Sequence, residues 1–553
     1  MVPIKIRSRL FATLLVAFMV FPVSTVSAQR SFEVSRQWDI LHMLYRELEQ
    51  FYVDSLDAEK VLTNAINGMM SSYDPYTNYM PESETGDLKF MTTGEYGGVG
   101  AIIGQRRGKV YILEPYENMP AQKAGFIAGD EILEIDNVKM DGANSQRASE
   151  LLKGQPGTEV TITVSREGTK KAIKRTIVRE LVQINQVTYY GLVAPGVGYI
   201  NLNGFTDKAA QEVQHALLEL KNQGAQKLIL DLRGNGGGLL NEAVAICNLF
   251  VPKGQEIVST RGKVRQWDQT YKTTREPLDT LMPLVVMVDR GSASSSEIVC
   301  GALQDLDRAI ILGTRTFGKG LVQTTRSIPY NGMLKVTTAK YYIPSGRCIQ
   351  AIDYSNRNED GSVGRIPDSL THVFSTKAGR LVRDGGGIQP DITCESTLGT
   401  TISYYLMEGL YFFDYANEYA RTHPTIPPVA SFTLGDEVYA DFLRFVKERG
   451  FSYEKDSRKV LNRLKATLEE ESVSESVKEE LAALESKLDN NIEADFANYR
   501  KEIELLLSAE IVSRYYYQAG ELQQSLKFDD CLKEAIRVLA DEELYRNTLK
   551  AKE

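Results

Sequence analysis

Residues 284–323 read LVVMVDRGSASSSEIVCGALQDLDRAIILGTRTFGKGLVQ, and the order of residue types along them decides the fold. Leu284 to Asp289 is an apolar, β-branched run, as expected of a strand buried on both faces. Small residues then turn the chain. Ile298, Val299, Ala302, Leu303 and Leu306 recur at helical spacing and give residues 295–306 one apolar face. Ala309 to Leu312 returns as a second strand, and Lys319 follows between Gly318 and Gly320. Strand, helix and strand in this order predict α/β architecture, with functional groups on the loops at strand ends.

The pattern extends outward. Gly196 to Gly204 predicts a strand, Ala209 to Asn222 an amphipathic helix, and Lys227 to Leu232 a strand feeding the loop Arg233-Gly234-Asn235-Gly236-Gly237-Gly238. Leu239 to Phe250 reads as another helix. After Lys319, residues 333–346 alternate as a strand, and Gly387 to Ile392 closes the α/β region. Beyond Thr400 glycine is scarce and Glu/Lys/Leu-rich sequence predicts a separate helical domain, a solvated bundle or a partner surface.

The whole chain of 553 residues exceeds the roughly 250–300 at which a single core stops growing, so several domains are expected. Its net charge of -9 argues against a nucleic-acid partner, which would need a basic face. Residues 1–28 combine a basic leader (Lys5, Arg7, Arg9), an apolar core from Leu10 to Val23 and the small-x-small ending Val26-Ser27-Ala28, which predicts a signal peptide and export. Gln29 stands where a lipidated protein would carry cysteine. The expected setting is the periplasm or cell envelope. From Ser31 to Met70 the sequence reads helical, with an apolar stripe at Ile40, Leu41, Leu44, Leu48 and Phe51 that suits core packing or self-association. The cysteines Cys247, Cys300, Cys348, Cys394 and Cys531 are odd in number and lack CxxC or Cys/His spacing, so no metal or other cofactor is expected.

Three chemistries compete for the central stretch. Gly313-x4-Gly318-Lys319 matches most of a phosphate-binding P-loop, but Gly320 occupies the magnesium-ligating Ser/Thr position and β-branched residues replace the helix that should follow. Ser294 with Glu297 fits a capping box, which leaves Lys319 without a role. Ser294 as a nucleophile accounts for both: its hydroxyl needs a base, no histidine is near in sequence, and a desolvated lysine can accept the proton.

Two resemblances sharpen these expectations. Residues 94–180, with Tyr96-Gly97-Gly98-Val99-Gly100, Ala124-Gly125-Phe126 and Ala128-Gly129-Asp130-Glu131-Ile132-Leu133, resemble a bacterial-type PDZ domain. That likeness implies that Gly97, Gly98, Val99 and Gly100 present backbone N–H groups to a peptide carboxylate while the peptide adds to a sheet edge. Ser292 to Ile298, Gly301 to Asp305, Arg308-Ala309 and Thr316 to Gln323 resemble the C-terminal processing peptidases, or tail-specific proteases. Ser294 and Lys319 are 319 − 294 = 25 residues apart, the family's nucleophile-to-base spacing.

The second resemblance implies Ser294 as nucleophile, Lys319 as base, Gln323 as the residue that orients the lysine, and an oxyanion hole from the N–H groups of Gly237 and Ser295. Two departures stand out: Asn235-Gly236-Gly237-Gly238 where the family often has Asn-Pro-Gly-Gly, and Ser295 where alanine is common. Glu297 and Asp305 are expected to be structural. The architecture implied is an α/β protease core within a multi-domain α+β chain, with an inserted PDZ-like β domain and helical regions at both ends. Its divisions are 1–28 (signal peptide), 29–93 (helical), 94–180 (PDZ), 181–398 (catalytic, its core drawing on the segment before the PDZ domain) and 399–553 (helical). The partners implied are proteins or peptides with accessible C-terminal tails, with room for a homodimer or an activating adaptor. The competing function is an inactive PDZ-based peptide-binding scaffold.

Overall fold

A computed structural model describes residues 32–82, 85–358, 362–395, 399–488 and 491–551; the expected signal peptide at 1–28 lies outside them. Among the described residues no helix is long and apolar enough to cross a membrane.

The chain divides at Tyr79 into two compact units. In the first, residues 32–51 are helical and Ala58–Ser71 forms a second helix, whose N-cap Asp57 accepts the Lys60 N–H at 3.0 Å. The expected stripe is on the first helix and is exposed at Ile40, Leu41, Leu44, Leu48 and Phe51. The single helical region read from Ser31 to Met70 is thus two helices, broken between residues 52 and 57.

The second unit begins with the PDZ sheet. Its strands run in the order Ala101–Arg106, Lys109–Pro115, Glu131–Ile135, Glu159–Ser165 and Ile173–Val178, each antiparallel to the next. Ala101–Arg106 is an edge strand, and the helix Ser145–Leu152, capped by Asn144, packs near it. Ile112, Ile135, Ile162 and Val164 alternate inward with Ala148 and Leu152 of that helix, as period-two strands around one core require.

A six-stranded sheet carries the α/β region. Its order is Val187–Ala194, Val197–Leu202, Lys227–Asp231, Leu284–Val288, Ile310–Gly313 and Ile392–Thr393; the first pair is antiparallel and the others are parallel. All five residues of Leu284–Val288 are buried, and they alternate between two cores. Leu284, Val286 and Val288 face the helices Ala209–Asn222, Leu240–Asn248 and Ser295–Asp305. Val285 and Met287 face the other way, onto Leu532, Ala535, Val538 and Leu539 of the helix Asp530–Ala540.

A parallel sheet must be covered on both faces, and here the second cover comes from the far C-terminal segment. The disulfide Cys394–Cys531 fastens that helix beside the last strand. The helical region beyond Thr400 was expected to stand apart. It has its own aromatic core, around Phe412, Phe442 and Phe496, yet it touches the PDZ domain, where Arg107 Nη2 reaches Asp414 Oδ2 at 3.1 Å, and Asp530–Ala540 belongs to the sheet. The two cysteines are 137 residues apart in sequence and sit in no motif, so no local pattern marks this pairing.

Candidate active site

Ser294 stands between the Leu284–Val288 strand and the Ser295–Asp305 helix with φ 56° and ψ −113°. A positive φ is costly for a residue with a Cβ, and such strain persists only where surrounding contacts enforce it. The enforcing contacts come from Leu232 and the Arg233–Gly238 loop that follows it. Ser292 Oγ donates to Leu232 O at 2.7 Å, Ser295 Oγ to Gly238 O at 2.9 Å and Ser296 Oγ to Asn235 O at 2.8 Å. Three neighbouring hydroxyls are therefore consumed in joining helix to loop. Ser294 takes no part in this joining: it forms a capping box with Glu297, whose carboxylate accepts the Ser294 N–H at 2.9 Å. Adjacent serines that chemistry could not separate in the sequence are separated by their partners.

Glu297 and Tyr341 bring Lys319 to the same place. The Glu297 carboxylate is fully buried and accepts four hydrogen bonds: Thr316 Oγ1 (2.6 Å) and Gly318 N–H (2.8 Å) on Oε1, and Ser294 N–H and Lys319 N–H (2.9 Å each) on Oε2. Burial pushes its carboxyl up, against the opposing pull of these donors. On the other side the Tyr341 hydroxyl contacts both Ser294 O (3.1 Å) and Lys319 O (2.6 Å). One carboxylate oxygen and one phenol thus each bridge two residues 25 apart in sequence.

The glycines beside Lys319 are there for close approach. A Cβ on Gly318 would lie 2.3 Å from Ala351 Cβ, and one on Gly320 would lie 2.8 Å from Gln350 N. The strand Leu321–Ser327 follows directly, so no helix N-terminus stands where a P-loop would cradle phosphate. Gln323 lies on this strand, its Nε2 donating to Thr337 Oγ1 at 3.2 Å and Leu321 O at 3.3 Å.

The two expected oxyanion donors differ. Ser295 N–H, at the first helical position, donates to no acceptor among the described residues. Gly237 lies against Ser294, since a Cβ there would be 2.8 Å from Ser294 Cβ, but its N–H donates to Asn235 Oδ1 at 2.9 Å. Asn235 is buried, and its Nδ2 donates to Leu202 O at 2.7 Å. Its backbone oxygen also accepts Ala293 N–H at 2.9 Å.

Comparison with known proteins matches the same parts. Residues 196–355 match the model of peptidase family S41, residues 97–177 that of a PDZ domain, and residues 402–539 the one described as "Probable PDZ-protease, C-terminal helical domain". A carboxy-terminal-processing protease of Bartonella bacilliformis is 39% identical over 313 residues, 56% of this chain and 71% of the relative. The chain belongs to the S41 carboxy-terminal-processing peptidases. A "Probable CtpA-like serine protease" of Staphylococcus epidermidis is 32% identical, over 56% of this chain and 62% of its own length. Among solved structures, a photosystem II D1 C-terminal processing protease is 28% identical with a TM-score of 0.36, covering 64% of this chain and 86% of that one.

In this S41 peptidase the PDZ glycines divide. Gly97 and Gly98 belong to the strand Glu95–Gly98, paired with Glu180–Gln183, and a Cβ on Gly97 would lie 2.0 Å from Gly154 O. Close packing against Gly154 requires glycine at that position. Val99 and Gly100 follow the strand, where their carbonyls accept Ala121 N–H (2.8 Å) and Tyr116 N–H (2.9 Å). Asp305 is buried against Arg347 at 2.8 Å, in keeping with a structural position. Glu297 carried a sequence signal, the S-x-x-E spacing, but only as a helix cap. Asn235 carried one only as the first residue of the Asn235–Gly238 glycine loop, and Tyr341 carried none.

Proposed function

We propose that this chain is an exported serine endopeptidase that grips protein C-terminal tails with its PDZ domain and cuts the chain with Ser294 as nucleophile and Lys319 as general base. The observation that carries this is the bridging of Ser294 and Lys319 by Glu297 and Tyr341. In this mechanism Ser294 Oγ attacks the peptide carbonyl carbon and its proton passes to a neutral Lys319 Nζ. The tetrahedral intermediate collapses as the lysine returns that proton to the leaving amine, and water then releases the acyl group from Ser294. The Gln323 amide oxygen is the acceptor that would orient the lysine. Ser295 N–H meets the developing oxyanion, and Gly237 N–H joins it when Asn235 Oδ1 gives that donor up.

The incoming tail adds to the free edge of Ala101–Arg106 beside the helix Ser145–Leu152, with its carboxylate on the N–H groups of Val99 and Gly100. The Cys394–Cys531 bond supports an oxidising compartment, in line with the leader at residues 1–28 and with a task in precursor processing or envelope quality control. A homodimer through the exposed stripe of the first helix and an activating adaptor complete the proposed partners.

Hydrolysis of an unstructured peptide with a free or an amidated C-terminus, in the presence of chelator, tests the reading. Cleavage of the free-acid peptide is expected, with loss on Ser294→Ala or Lys319→Ala. Binding without cleavage under every condition would favour the scaffold instead.

A further inference from the structure

The loop that shapes the Ser294 site is tied at its other end to the C-terminal helix covering the back of the sheet. Arg233, the second residue after the buried end of Lys227–Asp231, folds back on its own strand: its N–H and Nε reach Asp231 Oδ1 at 3.0 Å, and its Nη2 reaches Asp231 Oδ2 at 2.6 Å. The same Nη2 reaches Asp529 Oδ2 at 2.6 Å. Asp529 is the N-cap of Asp530–Ala540, and its other oxygen accepts Leu532 N–H at 2.9 Å. Two residues on, Cys531 is in the disulfide with Cys394. A second tie points the same way: the Tyr545 hydroxyl bonds both Leu284 N (2.9 Å) and Leu284 O (3.2 Å), at the start of the strand that delivers Ser294.

We infer that Asp529 and Arg233 form a positioning pair that fixes the Asn235–Gly238 loop against Ser294, making the C-terminal helix a working part of the peptidase site. This rests on the proposed role of Ser294 and its loop. Asp231 already neutralises Arg233 and holds it to the strand. What Asp529 adds is a fixed external anchor, pinned by the disulfide and by the core around Leu532 and Ala535. Between Arg233 and Gly236 the loop has only Gly234 and Asn235, so where Arg233 is held bears directly on the Gly237 donor, alongside the contacts that tie the loop to the Ser294 helix. Neither residue touches substrate.

Asp529→Asn isolates the anchor, because asparagine caps a helix as well as aspartate but carries no charge. The full chain with Asp529→Asn, with Arg233→Lys and with both is compared with the unsubstituted protein on a tail peptide, and thermal unfolding is followed alongside. We expect kcat to fall about tenfold in each single variant with KM within about twofold, as for a mispositioned reacting group. The double variant should lose little more than either single one, because the two residues act as a unit. An unchanged kcat in Asp529→Asn, while Ser294→Ala is inactive, overturns the pairing and leaves the Ser294 mechanism standing. Activity retained by Ser294→Ala overturns both. A kcat loss that only tracks a lower unfolding temperature and disappears on cooling also overturns the inference, because it is what a purely structural contact gives.

Discussion

Replacing Glu297 by glutamine asks whether one buried carboxylate holds nucleophile and base together. All four of its partners are donors, and glutamine has one oxygen for them. The less costly rotamer keeps the oxygen on Ser294 N–H and Lys319 N–H and turns the NH2 toward Thr316 and Gly318. Thr316 Oγ1 already accepts Ile388 N–H at 2.7 Å and can accept a second donor, but the Gly318 N–H is then left facing an amide hydrogen in a dry site.

One buried, unsatisfied donor costs about 1–3 kcal/mol, and two charge-assisted bonds that become neutral lose about 1 kcal/mol each. Removing a buried charge offsets part of this, as the raised Glu297 pKa implies. The net loss worked from the contacts is about 2 kcal/mol. Gly318 immediately precedes Lys319, so the same change shifts the base, and a displacement near 1 Å costs up to about a hundredfold in rate. Urea unfolding gives the first quantity and steady-state hydrolysis the second. A Glu297→Gln protein that unfolds at the unsubstituted midpoint and keeps kcat within twofold would refute this account of the bridge.

Gly237→Ala should lower kcat well beyond any change in KM, because its backbone has φ 98° and the added Cβ would lie 2.7 Å from Ala293 O and 2.9 Å from Ser295 N; an alanine variant with unchanged kcat would remove the loop from the mechanism. Glu114, half-buried against Gln518 N–H (3.2 Å), has its carboxyl pushed up to about 6 by burial. A raised folded-state pKa stabilises below the unfolded value near 4.5 and is lost as pH rises through about 6. Glu114→Gln should therefore gain about 1 kcal/mol relative to the parent between pH 4.5 and 7, read as a growing difference in unfolding temperature; a constant difference would contradict it. Breaking Cys394–Cys531 with serine at both positions should loosen the C-terminal helix and expose its amides to faster hydrogen exchange, while the Ala101–Arg106 edge keeps its exchange rate.

Much of the site was legible because its chemistry is local. The apolar run to Val288, the turn through Ser294 and the glycine-flanked Lys319 each declare their type within a few residues, and their order implies the fold that joins them. Less was legible where a contact joins distant segments. Nothing beside Cys394 or Asp529 marks them as partners of the sheet and of Arg233, since burial of the sheet's second face is a property of the assembled chain. The glycines show a third case: Gly97 and Gly237 read alike as sources of free N–H groups, yet Gly97 is needed for its approach to Gly154, and the Gly237 N–H is held by Asn235. Sequence reports that a side chain is missing and not which neighbour requires it.

The most direct test compares hydrolysis of one tail peptide by the Ser294→Ala, Ser295→Ala and Ser296→Ala proteins, each checked for folding by circular dichroism. Loss of essentially all activity in Ser294→Ala, with only partial losses in the two neighbours whose hydroxyls bind Gly238 O and Asn235 O, is the predicted result. A folded Ser294→Ala protein that still cleaves, or a Ser295→Ala protein that is equally dead, would contradict it.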